Sequence, residues 1–418
     1  MKIKMPAVCS KSGLMLSMLL YFASVLLMLP SLIQSTYIRV VWVNLLELTA
    51  VYGMIILIVY LCTKRLSNVL ITVSACSLAV GNLAQPLMQY ACHMDEKAAS
   101  LSDQLLKIAI WHLLLLVIGW GLIWLADYLI REHPVFEASA AALVILAFGA
   151  YILLKTGKDN NTSAAEGGFQ PAIIAAFLLA YLVAAALGRQ KKTNRITHII
   201  SAGILMGSMM FRHEFGIPIL VATACLLYYL LCYPSPKLSD LVSLAAVLCL
   251  LSSGIFLLKH DLLTDTVKKL IERPELSVQI SDAQRSLRAA GWFGRFIYTT
   301  KVSEASSDLS FASSIHFWGF AWVILAALPF LLGGLLLLRE ESEPHGFRLP
   351  VILRGICFFI MFLFLYWNCG MSIHFLPTIG VQAPFCGTSR SFAVLSGLLL
   401  SAVTICDGNW IRNILKKE

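Results

Sequence analysis

Apolar runs of about twenty residues, separated by short polar breaks, recur along the whole of this 418-residue chain. About 20 such residues let a helix cross the hydrocarbon core of a bilayer. Twelve runs have that character, at roughly 13–34, 39–62, 67–90, 105–130, 135–154, 170–188, 196–211, 215–232, 240–258, 311–338, 350–371 and 388–407. Composition agrees. Hydrophobic residues make up 59% and charged residues only 13%, whereas a soluble chain carries about 25% charged residues. A soluble enzyme, a nucleic-acid-binding domain and a disordered protein are excluded. The expected fold class is all-α, a polytopic transmembrane helix bundle of about 12 spans. The basic N-terminus (Lys2, Lys4, Lys11) leads into the first span rather than a cleaved signal peptide.

Counting Lys and Arg in the connections orients the bundle. With both termini in the cytoplasm, Lys64, Arg65, Arg131, Arg189, Lys191, Lys192, Arg195, Lys237, Arg339 and Arg348 fall inside. One connection breaks the pattern. Residues 259–310 belong outside, yet carry Lys259, Lys268, Lys269, Arg273, Arg285, Arg288, Arg295 and Lys301. So many cations on the translocated side suggest an anionic partner, and a connection this long is uncommon without a function. Within it, 262–272 is patterned to lie along the membrane surface. Four regions follow: N-terminal spans (1–134), central spans (135–258), the large extracytoplasmic loop (259–310) and C-terminal spans (311–418).

No P-loop, dinucleotide fingerprint, HExxH or GxSxG occurs. Five polar groups on the expected outer side stand out instead. Gln170-Pro171 opens the sixth span, where proline fits a first helical turn. Arg212-His213-Glu214-Phe215-Gly216 is a polar turn between two spans; Glu214 either pairs with Arg212 or His213 or serves a ligand. Gln284, Arg285 and Arg288 precede Gly291-Trp292-Phe293-Gly294-Arg295, whose glycines allow tight turns and close backbone approach. Glu304 and Asp308 run into the tenth span. Asp308 suits an N-cap, a catalytic carboxylate, or both. Leu376 to Phe385, with Pro377, Gly380 and Pro384, cannot form a regular helix and is expected to re-enter the bundle or line a cavity.

The order of these motifs resembles the SEDS family, the RodA/FtsW/SpoVE-like cell-wall glycosyltransferases. The family's QPSEFAK is similar to Gln170–Ala176, its QPDLGTAL to Arg212–Ile217, and its QSL-then-glycine loop to Gln284–Gly294. Its PEAHTDFIFA is similar to Ser303–Ala312 and its GLLPTxGxxxPF to His374–Phe385. The resemblance covers about residues 170–407. It implies polymerisation of lipid II, an undecaprenyl-pyrophosphate-linked disaccharide-peptide, at the outer face of the bacterial cytoplasmic membrane. A class B penicillin-binding protein is the implied partner, with no role for nucleic acid. Asp308 takes the catalytic position. Glu214, Arg212, Gln284, Arg285, Arg288, Arg295, Glu304, Arg390 and Pro384 take substrate-binding ones. Arginines or a divalent cation (Mg or Mn) would meet the pyrophosphate.

The departures are specific. The family has about ten spans, so about two here are extra. Its NGARRW segment has no counterpart, and Ala172, Ile173 and Ala176 replace the Ser, Glu and Lys of QPSEFAK. Without that Lys, the usual counter-charge of the loop aspartate is missing; Arg212 or Arg390 is the substitute. Two alternatives therefore stand beside the polymerase: an O-antigen polymerase or ligase, and a non-catalytic scaffold or lipid carrier.

Overall fold

The computed structural model describes residues 9–29, 38–92, 98–154, 171–188, 192–211, 216–232, 274–295, 310–341, 349–373, 375–376, 382–385 and 390–405. They form twelve helices and no β-sheet. In chain order these are α1 (Lys11–Leu26), α2 (Ile38–Thr63), α3 (Leu66–Cys92), α4 (Ala98–Glu132), α5 (Pro134–Leu154) and α6 (Pro171–Leu187). Then follow α7 (Lys192–Phe211), α8 (Gly216–Leu231), α9 (Pro274–Ala290), α10 (Ser310–Glu341), α11 (Leu349–Ser372) and α12 (Arg390–Val403). Six are long and apolar enough to cross a membrane, and α1, α6, α8 and α12 are shorter apolar helices. The architecture is that of a multi-pass, all-α membrane protein.

Eleven of the twelve expected spans are helices; the ninth, 240–258, lies outside the described residues. Local chemistry sets the ends. Ser10 caps α1 by accepting from the Gly13 N–H at 3.1 Å. Pro134, Pro171 and Pro274 each open a helix, where the missing N–H has no intrahelical partner to lose. The first span is shorter than its apolar run. The Met28 N–H turns back to Val25 rather than to the fourth residue before it, a tightened last turn. Among the described residues, the helix over 274–290 is the one outside the expected spans: its sequence is too polar for a span.

α3 is the axis of the bundle. Of its apolar window 94% is buried, against 33% for α2 and 22% for α5. It packs most extensively on α10, and also on α1 and α2. Small residues permit this. A Cβ at Gly81 would overlap the Trp322 ring, and one at Gly333 would press on the α3 backbone at Ile71 and Ser67. The pair α5–α7 forms a side layer, tied by Glu137, which contacts His198 at 3.1 Å and accepts from the Tyr181 hydroxyl.

At one end of the bundle, ion pairs and hydrogen bonds join α3, α10, α11 and α12. The buried Arg354 meets Glu340 at 2.9 Å, Asn68 at 2.7 Å and the Val403 carbonyl at 3.1 Å. Arg65 and the Ser67 hydroxyl approach the same carboxylate, at 3.3 and 2.8 Å. The opposite end carries α9.

Candidate functional site

The site is built around a broken helix. α10 begins at Ser310, two residues after Asp308, and is interrupted at Gly319, whose φ of 84° and ψ of 171° belong to no helix. The break divides it into a half-helix, residues 310–318, about 13 Å long, and a long helix, residues 320–341. A side chain at Gly319 is doubly unfavourable. The dihedrals suit only glycine, and a Cβ would strike the Trp292 carbonyl and the Gly294 backbone. Gly294, at φ 75°, faces the Phe317 and Trp318 backbone in the same way. Two glycines are needed because two chain segments cross here backbone to backbone.

The crossing segment completes the hydrogen bonds the break leaves open. The N–H groups of Phe320 and Ala321 donate to the carbonyls of Gly291 and Trp292, both at 3.1 Å. The Arg295 N–H donates to the His316 carbonyl at 2.8 Å. Irregular backbone at membrane depth is tolerated where protein supplies partners, and the turn Gly291–Arg295 supplies them. Arg295 is thereby held along the half-helix, about 9 Å from its first residue.

α9 lies over this crossing. Its buried face, Ala283, Ser286, Leu287 and Ala290, packs on α10, and His316 Nδ1 donates to the Ser286 carbonyl at 3.1 Å. Its other face is open. Arg285 is 69% exposed and touches Asp282 only at 3.9 Å. Arg288 and Arg295 are exposed, Gln284 is half-buried, and Trp292 and Phe293 project from the turn at 66% and 60% exposure. The amphipathic surface helix expected over 262–272 lies outside the described residues; the one observed begins at Pro274.

A third element is the connection between α11 and α12. Residues 382–385 are buried and non-helical, as expected of a re-entrant segment. Phe385 has a positive φ of 65°. Its N–H donates to Ser396 Oγ at 3.0 Å, and its ring meets His112 edge-on at 5.3 Å. His112 in turn contacts the Tyr52 hydroxyl at 2.7 Å. Ser396 lies six residues into α12, so the segment reaches about 9 Å below the start of that helix. Pro384 is buried within it.

Of the site residues expected from sequence, the structure thus places Gln284, Arg285, Arg288 and Arg295 together on α9 and its turn, and Pro384 on the re-entrant segment. Arg390 is the first residue of α12. Arg212, Glu214, Glu304 and Asp308 lie outside the described residues. Gly319, His316 and the α3 residues facing the half-helix were not singled out. Gly319 sits in an unbroken apolar run, where a glycine reads as a packing residue.

Comparison with known proteins gives a partial match. No family model and no curated protein matches this chain. Among solved structures it is similar to a chain from one described as the structural coordination of polymerization and crosslinking by a peptidoglycan synthase complex. The TM-score is 0.50 at 18% identity, and the match covers 78% of this chain and 95% of the other. The likeness is one of fold. Nearly all of the solved chain is matched, while about a fifth of this one falls outside the match.

Proposed function

We propose that this protein is a SEDS-like peptidoglycan glycosyltransferase that polymerises lipid II at the outer face of the bacterial cytoplasmic membrane, with a class B penicillin-binding protein as partner. The observation that carries the reading is the broken helix. The half-helix, whose first residue follows Asp308 by two in the sequence, packs against a helix that exposes two guanidinium groups, Arg285 and Arg288. The solved chain of similar fold comes from a complex that joins polymerisation to crosslinking, which supports the same reaction class and partner.

In the proposed step, a sugar hydroxyl of one precursor attacks the anomeric carbon of the next. The bond from that carbon to the diphosphate oxygen breaks, the configuration inverts, and undecaprenyl diphosphate leaves with the bonding pair. Asp308 takes the hydroxyl proton, a role that a positioned carboxylate fills. Arg285, Arg288 and Arg295 offset the charge on the leaving diphosphate. Arg285 is available for this because its contact with Asp282 is long and solvent-exposed. Gln284, Glu304, Arg212, Glu214 and Arg390 are assigned to the sugar and diphosphate, and Pro384 shapes the re-entrant segment. Among the described residues no group of three His, Cys, Asp or Glu side chains gathers as a metal site; the basic surface of α9 suits an anion, and a divalent cation (Mg or Mn), if bound, would supply further positive charge to the leaving diphosphate.

One observation favours a second reading, a non-catalytic scaffold. Ala176, where the family resemblance would place a lysine, is fully buried and apolar. The test is purified protein in nanodiscs supplied with fluorescent lipid II, with and without a cognate transpeptidase, and polymer resolved on gels. Polymer from the wild-type chain, reduced at least about 100-fold in Asp308→Ala, is expected. No polymer, with the transpeptidase still co-purifying, favours the scaffold.

A further inference from the structure

We infer that Asn82 and Gln85 on α3 are positioning residues that hold the half-helix whose first residue, Ser310, follows Asp308 by two in the sequence. This rests on the role given to Asp308 above. The break at Gly319 is the starting point. Where the ladder is cut, Phe320 and Ala321 donate to the turn 291–292 instead of to the half-helix, and the His316 carbonyl is taken by Arg295. The half-helix is therefore not held by continuity with the rest of α10. Its place is set by what it touches sideways.

Sideways it meets the axis of the bundle. Ser314 donates to Asn82 Oδ1 at 2.5 Å, and Gln85 Nε2 donates to Ser313 Oγ at 2.7 Å. The Trp318 indole N–H donates to the Gly81 carbonyl at 2.9 Å. All these side chains are at most 2% exposed. Asn82 is itself fixed, since its Nδ2 donates to the Leu78 carbonyl one turn back at 2.7 Å, which aims Oδ1 at α10. The spacing is informative. Ser313 and Ser314 follow Asp308 by five and six residues, so the two tethers act about 6 Å from the first helical residue. Trp318 secures the other end, next to the break. A half-helix tied to α3 at its middle and at its C-terminal end is restricted in both tilt and rotation.

Packing alone does not call for these residues. Buried amides and hydroxyls are unfavourable unless paired, and an apolar core of equal volume holds helices together at least as well. What a paired amide adds is direction: one azimuth and one register of the half-helix. A carboxylate that must accept a proton within about 3 Å of a bound sugar is sensitive to both, and small misplacements lower rate by large factors.

The test uses the full-length protein in nanodiscs and the near-isosteric variants Asn82→Leu and Gln85→Met, which keep volume and remove the tethers. Ser77→Ala serves as the control. It removes another buried α3 hydrogen bond, from Ser24 at 2.9 Å, away from the half-helix. Polymerisation of fluorescent lipid II gives kcat and KM, and hydrogen exchange reports residues 311–318 against 320–341. Expected in each isostere is a kcat about 10- to 100-fold lower, KM within about threefold, and faster exchange confined to 311–318. The control keeps kcat. The swapped pair Asn82→Ser with Ser314→Asn recovers most of the loss. Inactive Asp308→Ala beside isosteres of wild-type kcat overturns the positioning role. So does exchange that is unchanged, or that rises equally on both sides of Gly319. Activity retained in Asp308→Ala overturns the catalytic reading instead, and the exchange data then decide the tethers by themselves.

Discussion

The two ends of the bundle solve opposite problems. At the Arg354 end, helices converge with one irregular residue, Lys64 at φ 52°, in the turn from α2 to α3, and Arg354 and Arg65 share Glu340 while Ser67 and Asn68 complete the contacts. At the α9 end, the backbone departs from helix at Gly319, Gly291, Gly294 and Phe385, and Arg285, Arg288 and Arg295 are exposed, Arg285 with only a long contact to Asp282 among the described residues. Buried, paired charge fixes a bundle. Irregular backbone with open cations costs stability, and such strain collects where a protein binds or reacts. The contrast sets an end that holds the bundle against the end on which the proposed function rests.

The largest expected effect is at the crossing of chain segments. Gly319→Ala adds a Cβ against the Trp292 carbonyl at a backbone conformation that alanine avoids. A loss of about 4 kcal/mol or failure to yield monodisperse protein is expected, whereas Gly121→Ala, with nothing within 4 Å, leaves the thermal midpoint unchanged. Equal behaviour of the two variants would remove the break as a structural feature.

Next is the clamp. Arg354→Met leaves Glu340 and the Asn68 oxygen without their buried cation and is expected to cost about 3 kcal/mol. Restoring volume with a neutral partner, as in Arg354→Met with Glu340→Gln, recovers part of it. Unfolding in detergent measures both, and the loss at this end is expected to leave the KM for lipid II unchanged.

A smaller effect is expected in the re-entrant segment. Ser396→Ala removes the acceptor of the buried Phe385 N–H and costs about 1–2 kcal/mol. Faster hydrogen exchange at Phe385, with little change at Ser67 or Asn68, would confirm that the two ends loosen independently; coupled exchange would show one cooperative unit.

The smallest stability effect belongs to the open cations. Arg285→Ala breaks only an exposed contact, so the thermal midpoint is expected to move by less than about 0.5 kcal/mol equivalent. If the α9 face serves a diphosphate, the same variant raises KM for lipid II. A shifted midpoint with unchanged KM would instead make Arg285 a structural residue.

Amino-acid order alone determined the class of this protein and most of its helices, because about twenty apolar residues in a row have one stable conformation in lipid. It also marked Pro171 as a helix start, 382–385 as part of an irregular segment, and 284–295 as a region of close backbone approach, since proline, glycine and exposed arginine act locally. Tertiary structure alone decided which helix is central and where α10 breaks. α3 carries Ser67, Asn68, Asn82 and Gln85 yet is the most buried of the long apolar helices, because each of these four side chains makes a hydrogen bond to a residue more than two hundred positions away. Gly319 lies in a run as apolar as any other. It leaves the helix because the turn at 291–295, remote in sequence, arrives with carbonyls for the freed N–H groups. Such pairings depend on which segments meet, and a hydropathy pattern holds no record of that.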